Sequence, residues 1–200
     1  MIKLPDLALD QDDFARQVAK MTDHQDTDWT AVIPAWVNGM LAPVGKLAAH
    51  QQGLRHKAVS VFVMSGTQTL IQRRALGKYH TPGLWANSCC THPHWGEKPL
   101  DCAIRRLDQE LGIKGIVPRY RDQIEYRADV GSGLIEHEVV DLFVAKADRD
   151  LAITPDPSEV MAYEWVELSD LKQRVLDTPD LYTPWLRIYL AKYSDRIFAV

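Results

Sequence analysis

The sequence predicts one α/β domain that follows a short acidic extension. Two hundred residues, 46% of them apolar, are enough to bury a full core within a single domain. The stretches 58–72 and 123–147 each have the pattern of a β-hairpin. Between them, apolar residues recur every three to four positions, which is typical of a helix with one buried face. This succession of strands and helices favours the α/β class.

Residues 1–30 form the predicted acidic extension, and residues 31–200 form the domain. The extension contains seven acidic and three basic residues, whereas acidic and basic residues balance in the rest of the chain. Asp10 is in a position to cap a short helix that runs through Met21. We expect this segment to be either docked on the domain or partly mobile.

The domain is predicted to begin with strands. Residues 31–41 alternate in polarity around a turn at Asn38-Gly39, which is typical of a strand and its turn. The apolar run Ala58–Met64, the turn at Ser65-Gly66 and the stretch Thr69–Gln72 predict a hairpin.

A loop with two adjacent cysteines and two histidines leads directly into the central helix. The helix is predicted to begin at Glu97 and to end at Gly112. Glu110 lies on the flank of the apolar face, where it is either a solvated side chain or a carboxylate available to a metal. The residues of the apolar face are Leu100, Ala103, Ile104, Leu107 and Leu111.

The second hairpin places two carboxylates on a strand face that continues with apolar residues. Gly131-Ser132-Gly133 forms its turn, and Glu136 and Glu138 follow with the two-residue period of a strand. Two buried carboxylates need a metal, a substrate or a cationic partner. The alternative is a strand end that emerges into solvent.

The chain is predicted to finish with a strand and two helices. A turn at Asp156–Glu159 precedes the strand Val160–Val166. Ser169 is the predicted cap of a helix that runs through Leu176, and Thr183-Pro184 starts another helix.

Composition argues against several classes of function. The sequence has no broad basic stripe for nucleic acid, no apolar run that would span a membrane, and no signal-peptide pattern at Met1. Three cysteines, two of them adjacent, make a poor disulfide framework and favour a reducing compartment. We therefore expect a cytoplasmic monomer or weak homodimer without nucleic-acid or membrane partners.

Seven ordered motifs resemble those of type I isopentenyl diphosphate isomerases, which interconvert isopentenyl and dimethylallyl diphosphate on a Nudix-type fold. The motifs span about residues 31–194 and read KLAAH, RRALGK, NSCCTHP, RRLDQE, EYRADVGSG, IEHEV and TPW. The resemblance implies an α/β (α+β) fold with a Nudix-like mixed β-sheet core flanked by helices. It also implies a small isoprenoid diphosphate as the substrate.

The central helix resembles only part of a Nudix hydrolase box. That box ends in Arg-Glu-apolar-x-Glu-Glu-x-Gly, and here Arg106 and Gln109 replace two of the three closing carboxylates. The replacements remove most of the anionic cluster that holds metals and activates water, which argues against a pyrophosphohydrolase. A non-catalytic Nudix-like binding module is a second alternative, and it would have no need of Cys90 and Tyr126.

The resemblance implies a metal centre of three imidazoles and two carboxylates. Such a mixed nitrogen and oxygen set suits Zn²⁺ or Mn²⁺ better than Mg²⁺. The interval from His50 to His56 is one residue shorter than in the family, so either the loop tightens or the role of His50 is altered. The implied ligands are His50, His56, His92, Glu136 and Glu138, whereas His24, His80, His94 and His137 match no ligand position.

The resemblance also assigns the groups that act on the alkene. Cys90 and Glu138 are the acid–base pair on opposite faces of the substrate. Tyr126 positions the catalytic carboxylate, and Trp185 stabilises a carbocation. On periodicity alone Trp185 is equally a core anchor. Cys89 and Cys102 are expected to be buried as small apolar side chains.

Cationic side chains are implied to bind the diphosphate. Glu110 contacts a Mg²⁺ ion that arrives with the substrate. Arg73 and Arg105 are expected at the solvated surface. The implied diphosphate ligands are Lys46, Arg74, Lys78 and Arg106.

Overall fold

One nine-stranded mixed sheet organises the computed structural model, which describes residues 31–198. The strands are β1 (Val32–Val37), β2 (Met40–Gly45), β3 (Arg55–Ser65), β4 (Gln68–Arg74), β5 (Trp85–Asn87), β6 (Cys89–Thr91), β7 (Arg119–Asp129), β8 (Ile135–Lys146) and β9 (Val160–Glu167). The helices are α1 (Lys46–Gln51), α2 (Pro99–Leu111), α3 (Leu168–Asp177), α4 (Pro184–Lys192) and α5 (Ser194–Phe198), with a 3₁₀ turn at Pro179–Leu181. The helix predicted from Asp10 lies outside the described residues.

Strand β3 lies at the centre of the sheet. It pairs in parallel with β8 and antiparallel with β1, β4 and β6, which confirms the mixed sheet. Both predicted hairpins are present, as β3–β4 and β7–β8. The parallel register aligns His56 with Glu138, and this alignment later matters for the site.

Helices cover both faces of the sheet. Along β3, Val59, Val61 and Val63 face one core together with α2, whereas Ala58 and Phe62 face a second core with α3, α4 and α5. Successive side chains of β3 therefore point into the two cores in turn, as expected of a strand that is buried on both faces. The layered arrangement confirms the predicted α/β class.

Helix α2 begins two residues later than predicted and ends where predicted. Pro99 occupies its first position, and Glu97 remains outside the helix, where its carboxylate accepts the backbone N–H of His94 at 2.8 Å. Gly112 is left-handed (φ +64°), and an added Cβ would lie 2.6 Å from the Thr154 carbonyl oxygen, so this position requires glycine. Ile104 was wrongly placed on the apolar face: it lies 38% exposed, because the helix turns that flank toward solvent.

Two further details differ from the predictions. The helix α3 starts at Leu168 after Glu167, so Ser169 lies inside its first turn and is not the cap. The segment predicted as a loop before α2 contains the short strands β5 and β6. Within residues 31–198, no helix combines the length and apolar character needed to cross a bilayer.

Candidate active site

Three histidines from three separate elements meet at one end of the sheet. His50 lies near the end of α1, His56 near the start of β3, and His92 directly after β6. Their ring centroids are 4.7 Å apart for His50 and His56, and 5.0 Å apart for each of the other two pairs. All three side chains are buried. The predicted imidazole cluster is therefore assembled in space.

The short interval between His50 and His56 is accommodated by a tight turn. Helix α1 ends at Gln51, and Gly53 adopts a left-handed conformation (φ +59°) against Ile135, whose Cδ1 would lie 3.3 Å from an added Cβ. The loop tightens, and His50 keeps its place in the cluster.

Glu136 and Glu138 both point into this cluster from β8. Their side chains are almost completely buried, so the alternative of a strand end in solvent is excluded. The Tyr126 hydroxyl lies 2.8 Å from Glu136 Oε2 and 2.7 Å from Glu138 Oε2. A phenol carries one proton, so one carboxyl must donate to it while the other accepts.

The two carboxyl groups differ in acidity. Burial and the charge of Glu138 raise the pKa of Glu136 well above its usual value. Burial would also raise the pKa of Glu138, but the imidazoles of His56 and His92 beside it hold that pKa well below the usual value. Glu136 therefore carries the proton in this arrangement, and Tyr126 donates to ionised Glu138.

The imidazoles of His50 and His92 are held neutral, and those of His50 and His56 are anchored by the backbone. Burial and the neighbouring His92 and His56 lower the pKa of His50 to about 2, and burial with the charge of Lys46 lowers the pKa of His92 to about 4. The Nδ1 atoms of His50 and His56 donate to the backbone carbonyls of Lys46 at 2.8 Å and Leu54 at 2.7 Å. Their Nε2 atoms consequently keep lone pairs that face the cluster.

This donor set fits a metal ion. Within the described residues, the buried Nε2 atoms of His50 and His56 have no hydrogen-bond partner. One ligand atom from each of His50, His56, His92 and Glu138 lies within 4.8 Å of the others. Neutral imidazoles anchored through the opposite nitrogen, together with a carboxylate, are the usual ligands of Zn²⁺ and related ions.

Cys90 projects beside the carboxylates from β6. Strand β6 pairs with β3 so that Cys90 lies opposite Ser60, and the thiol is 3.9 Å from the Tyr189 hydroxyl. Burial and the charge of Glu138 raise the pKa of the Cys90 thiol well above its usual value. The thiol therefore remains protonated at neutral pH, so it carries a proton and is not a thiolate ligand for a metal.

Cys89 points away from this group. Its side chain is fully buried in the core under α2, as is that of Cys102, which confirms the prediction for both. The Cys89 thiol lies 3.6 Å from Glu110 Oε1. The side chains of these adjacent cysteines thus point to opposite faces of the sheet.

Arg106 and Glu110 are paired with each other. Arg106 Nη2 donates to Glu110 Oε1 at 2.7 Å and lies 3.3 Å from Glu159 Oε2, which also pairs with Lys78. Burial would raise the pKa of Glu110, but the charges of Arg106 and Lys78 lower it. Glu110 is therefore an ionised carboxylate at the edge of the core, and the solvated alternative is wrong.

Arg74 and Trp185 form another part of the wall of the site. The Arg74 guanidinium lies 5.3 Å from the Trp185 ring centroid, and its Nη2 donates to the His80 carbonyl at 3.2 Å. Trp185 is 1% exposed and also packs in the core on the α4 side. The core-anchor and active-site interpretations of this tryptophan are thus compatible.

Two adjoining cavities connect these groups to solvent. The outer cavity has a volume of about 500 Å³, and the inner one, of about 20 Å³, has room for a single ion or water. Lys46, Lys78, His92 and Arg106 line both. The inner cavity is also lined by Arg74, His80, Cys90, Glu110, Glu136, Glu138 and Trp185.

Sequence reasoning missed several members of the site. His80 and Glu159 carry no spacing signal, because each lies in a turn outside the recognised motifs. Tyr189, whose hydroxyl lies 3.9 Å from the Cys90 thiol, was not predicted to belong to the site. The prediction that Arg105 is solvated was wrong, since it binds both carboxylate oxygens of Glu97 at 2.7 Å and is partly buried.

Residues 54–186 match the NUDIX domain family, so the fold and the site define a NUDIX-domain protein. Among solved structures, DR0079 from Deinococcus radiodurans aligns with a TM-score of 0.64 at 15% identity and covers 84% of this chain and 98% of its own. The MutT protein from Methanosarcina mazei aligns with a TM-score of 0.55 at 15% identity, over 70% of this chain and 93% of its own. At such low identity these two structures show the fold alone.

Curated relatives narrow the assignment. An isopentenyl-diphosphate Delta-isomerase from Dinoroseobacter shibae is 67% identical over 84% of this chain and 95% of its own length. Another, from Cereibacter sphaeroides, is 66% identical over 84% of this chain and 94% of its own. The chain belongs to the isopentenyl-diphosphate Delta-isomerase family within the NUDIX-domain proteins.

Proposed function

We propose that this chain isomerises isopentenyl diphosphate to dimethylallyl diphosphate, with Cys90 and Glu138 as the two proton carriers. The observation that carries the proposal is the cavity in which a protonated thiol and an ionised carboxylate held by Tyr126 face the same small space. The names of the relatives support the same reaction. We place this activity in residues 31–200, since every assigned residue lies there. The free thiols support a cytoplasmic setting, and we propose a monomer or weak homodimer.

The diphosphate binds where the two cavities meet. Lys46, Arg74, Lys78 and Arg106 supply cations there, and a guanidinium can donate two parallel hydrogen bonds to phosphate oxygens. The ion pairs of Lys78 and Arg106 with Glu159 preorganise both cations before the substrate arrives. Glu110 would contact a Mg²⁺ ion that arrives with the substrate and usually retains several waters.

The reaction moves the double bond by one carbon. One partner of the Cys90–Glu138 pair delivers a proton to the terminal alkene carbon, and the other removes a proton from the opposite face of the resulting cation. An alkene is a weak base, so the proton donor must act in a site from which water is excluded. The near-complete burial of Glu138 provides such a site, and the inner cavity of about 20 Å³ must widen to admit the alkene.

The tertiary cation between the two steps requires stabilisation. The face of an indole stabilises a cation by about 2 kcal/mol or more when both are desolvated. Trp185 lines the inner cavity and is buried, so its ring fulfils both conditions. The Arg74 guanidinium above this ring is drawn toward the diphosphate in the substrate complex.

The metal centre holds the catalytic carboxylate. A Zn²⁺ or Mn²⁺ ion would supply fixed positive charge beside Glu138, and that charge tunes the acidity of the carboxyl group. Tyr126 keeps the same carboxylate in one orientation through its 2.7 Å hydrogen bond. The residues that would hold the ion are His50, His56, His92, Glu136 and Glu138.

Proton NMR of isopentenyl diphosphate in D₂O tests the proposal. We expect dimethylallyl diphosphate with solvent deuterium in the new methyl group, with Mg²⁺ and either Zn²⁺ or Mn²⁺ supplied. Phosphate release measured in parallel distinguishes isomerisation from hydrolysis. Absence of product would overturn the function, whereas product without deuterium would overturn only the proton-transfer mechanism.

A further inference from the structure

His80 adjoins the metal centre although it matches none of the implied ligand positions. Its imidazole is buried, and it stacks against His50 with ring centroids 5.8 Å apart and an interplanar angle of 23°. Its Nε2 atom lies 3.8 Å from Glu136 Oε1. The ring therefore lies beside His50 and on the Glu136 side of the centre.

His80 is oriented in the same way as His50 and His56. Its Nδ1 lies 3.1 Å from the Thr81 hydroxyl oxygen, so donation of Nδ1–H to this oxygen leaves a lone pair on Nε2. His50 and His56 are likewise anchored through Nδ1 and face the cluster with Nε2. Anchoring by the opposite nitrogen is how proteins orient metal-binding histidines.

The backbone next to His80 is strained. Thr81 has a φ of +47°, which is unfavourable for a β-branched residue. Such conformations persist where the surrounding structure enforces them, and they are concentrated at functional sites. The strained Thr81 backbone lies between the His80 imidazole and the Thr81 hydroxyl that anchors it.

We propose that His80 is an additional ligand of the metal centre, a sixth donor that binds beside Glu136. Ligand atoms of His50, His80 and Glu136 lie within 4.8 Å of one another, the same spacing that relates His50, His56, His92 and Glu138. This inference rests on the proposed metal centre and extends its ligand set.

The six ligand atoms fall into two groups and do not all lie within 4.8 Å of one another. We infer that the two groups close around one ion rather than two. They share His50, whose Nδ1 is already donated to the Lys46 carbonyl, so a single Nε2 remains to bind a single ion. Together the groups offer four nitrogens and two carboxylates. Six donors favour an ion that accepts octahedral coordination, such as Mn²⁺ or Co²⁺, over the four-coordinate geometry usual for Zn²⁺.

Co²⁺ titration of the metal-free, full-length protein tests this proposal without any measurement of turnover. Co²⁺ affinity, measured by competition with a chromophoric chelator, and the visible Co²⁺ spectrum are compared among variants. We expect His80→Ala to weaken Co²⁺ binding by about 10- to 100-fold or more and to shift the spectrum. His137→Ala is the matched control, because this histidine pairs with Glu125 near the surface, and it should leave both readouts unchanged.

His56→Ala distinguishes failure of this proposal from failure of the metal centre itself. If His56→Ala loses affinity while His80→Ala binds Co²⁺ with wild-type affinity and spectrum, His80 is not a ligand and the five-ligand centre stands. If neither variant changes affinity, the centre itself is wrong.

Thermal unfolding of the metal-free variants reports their folding. Should His80→Ala not fold, Thr81→Val takes its place, because it keeps the imidazole and removes only its anchor. A loss of about 10-fold in Co²⁺ affinity is then expected, and unchanged affinity with an unchanged spectrum would overturn the proposal.

Discussion

Replacement of Tyr126 by phenylalanine isolates one hydroxyl between the two buried carboxyl groups. The ring remains to fill its place in the core, whereas both hydrogen bonds, of 2.8 Å and 2.7 Å, are lost. A buried polar group left without its partner costs about 1–3 kcal/mol. For a chain of this length, each kcal/mol corresponds to roughly 2–4 °C in Tm. We therefore expect metal-free Tyr126→Phe to melt about 2–12 °C below the wild type.

The same substitution should lower kcat more than it raises KM. Tyr126 contacts Glu138 and Glu136 but none of the cations that bind the diphosphate. Loss of a group that orients a metal-bound carboxylate typically lowers activity by about 10- to 100-fold. Calorimetry of the metal-free protein and steady-state kinetics of the loaded protein give the two readouts.

Tyr193→Phe is the matched control for this experiment. Its hydroxyl donates to the Glu125 carbonyl at 3.2 Å near the surface, so its removal should change stability by no more than about 0.5 kcal/mol. Wild-type Tm and kcat in Tyr126→Phe, or equal losses in the two variants, would refute the role assigned to Tyr126.

Two further predictions concern the proton carriers and the buried imidazoles. Cys90→Ala should lower kcat by about 10²- to 10⁴-fold with unchanged metal content. Cys89→Ala should keep most activity, because the Cys89 thiol points into the core under α2. Comparable losses of kcat in the two variants would contradict this assignment. Metal-free protein should lose stability as pH falls from about 6.5 toward 4. In the unfolded chain His50 and His92 bind protons over this range, whereas in the folded protein their pKa values of about 2 and about 4 keep them largely unprotonated. The lowered pKa of His80 adds a third such group, and the raised pKa of Glu136 opposes one of the three, which leaves a net slope of about 2.7 kcal/mol per pH unit in urea unfolding. A slope of opposite sign would contradict the cause.

Periodicity predicts a side chain's face but not its distant neighbours. The two-residue period of a strand was enough to place Glu136 and Glu138 on a buried face, and the helical period placed Glu110 on the flank of α2. The imidazole cluster was beyond such reasoning, because its members come from different elements. The antiparallel pairing of β6 with β3 brings His92 toward His56, and the parallel pairing of β3 with β8 adds the carboxylates. The resemblance to the isomerase family predicted those histidines as ligands. It did not supply His80, whose place depends on a strained turn that no sequence pattern indicates.

Arg106 offers a test of what separates this chain from its hydrolase relatives. A hydrolase places a carboxylate at this position of the box, whereas here the guanidinium binds Glu110 and Glu159 and faces the outer cavity. Charge-assisted hydrogen bonds contribute about 1.5–3 kcal/mol each. Arg106→Glu should therefore raise KM for isopentenyl diphosphate by at least about 10-fold, through lost ion pairs and added repulsion.

Arg106→Gln is the control for charge reversal, because it removes the ion pairs without adding a negative charge. It should raise KM less than Arg106→Glu does. Neither variant should release phosphate, since Gln109 still leaves the carboxylate cluster incomplete and a lone added carboxylate does not assemble the clustered metals that activate water. An unchanged KM would remove Arg106 from the diphosphate site. Rapid phosphate release from Arg106→Glu would show that one side chain decides whether this scaffold holds a diphosphate or cleaves it.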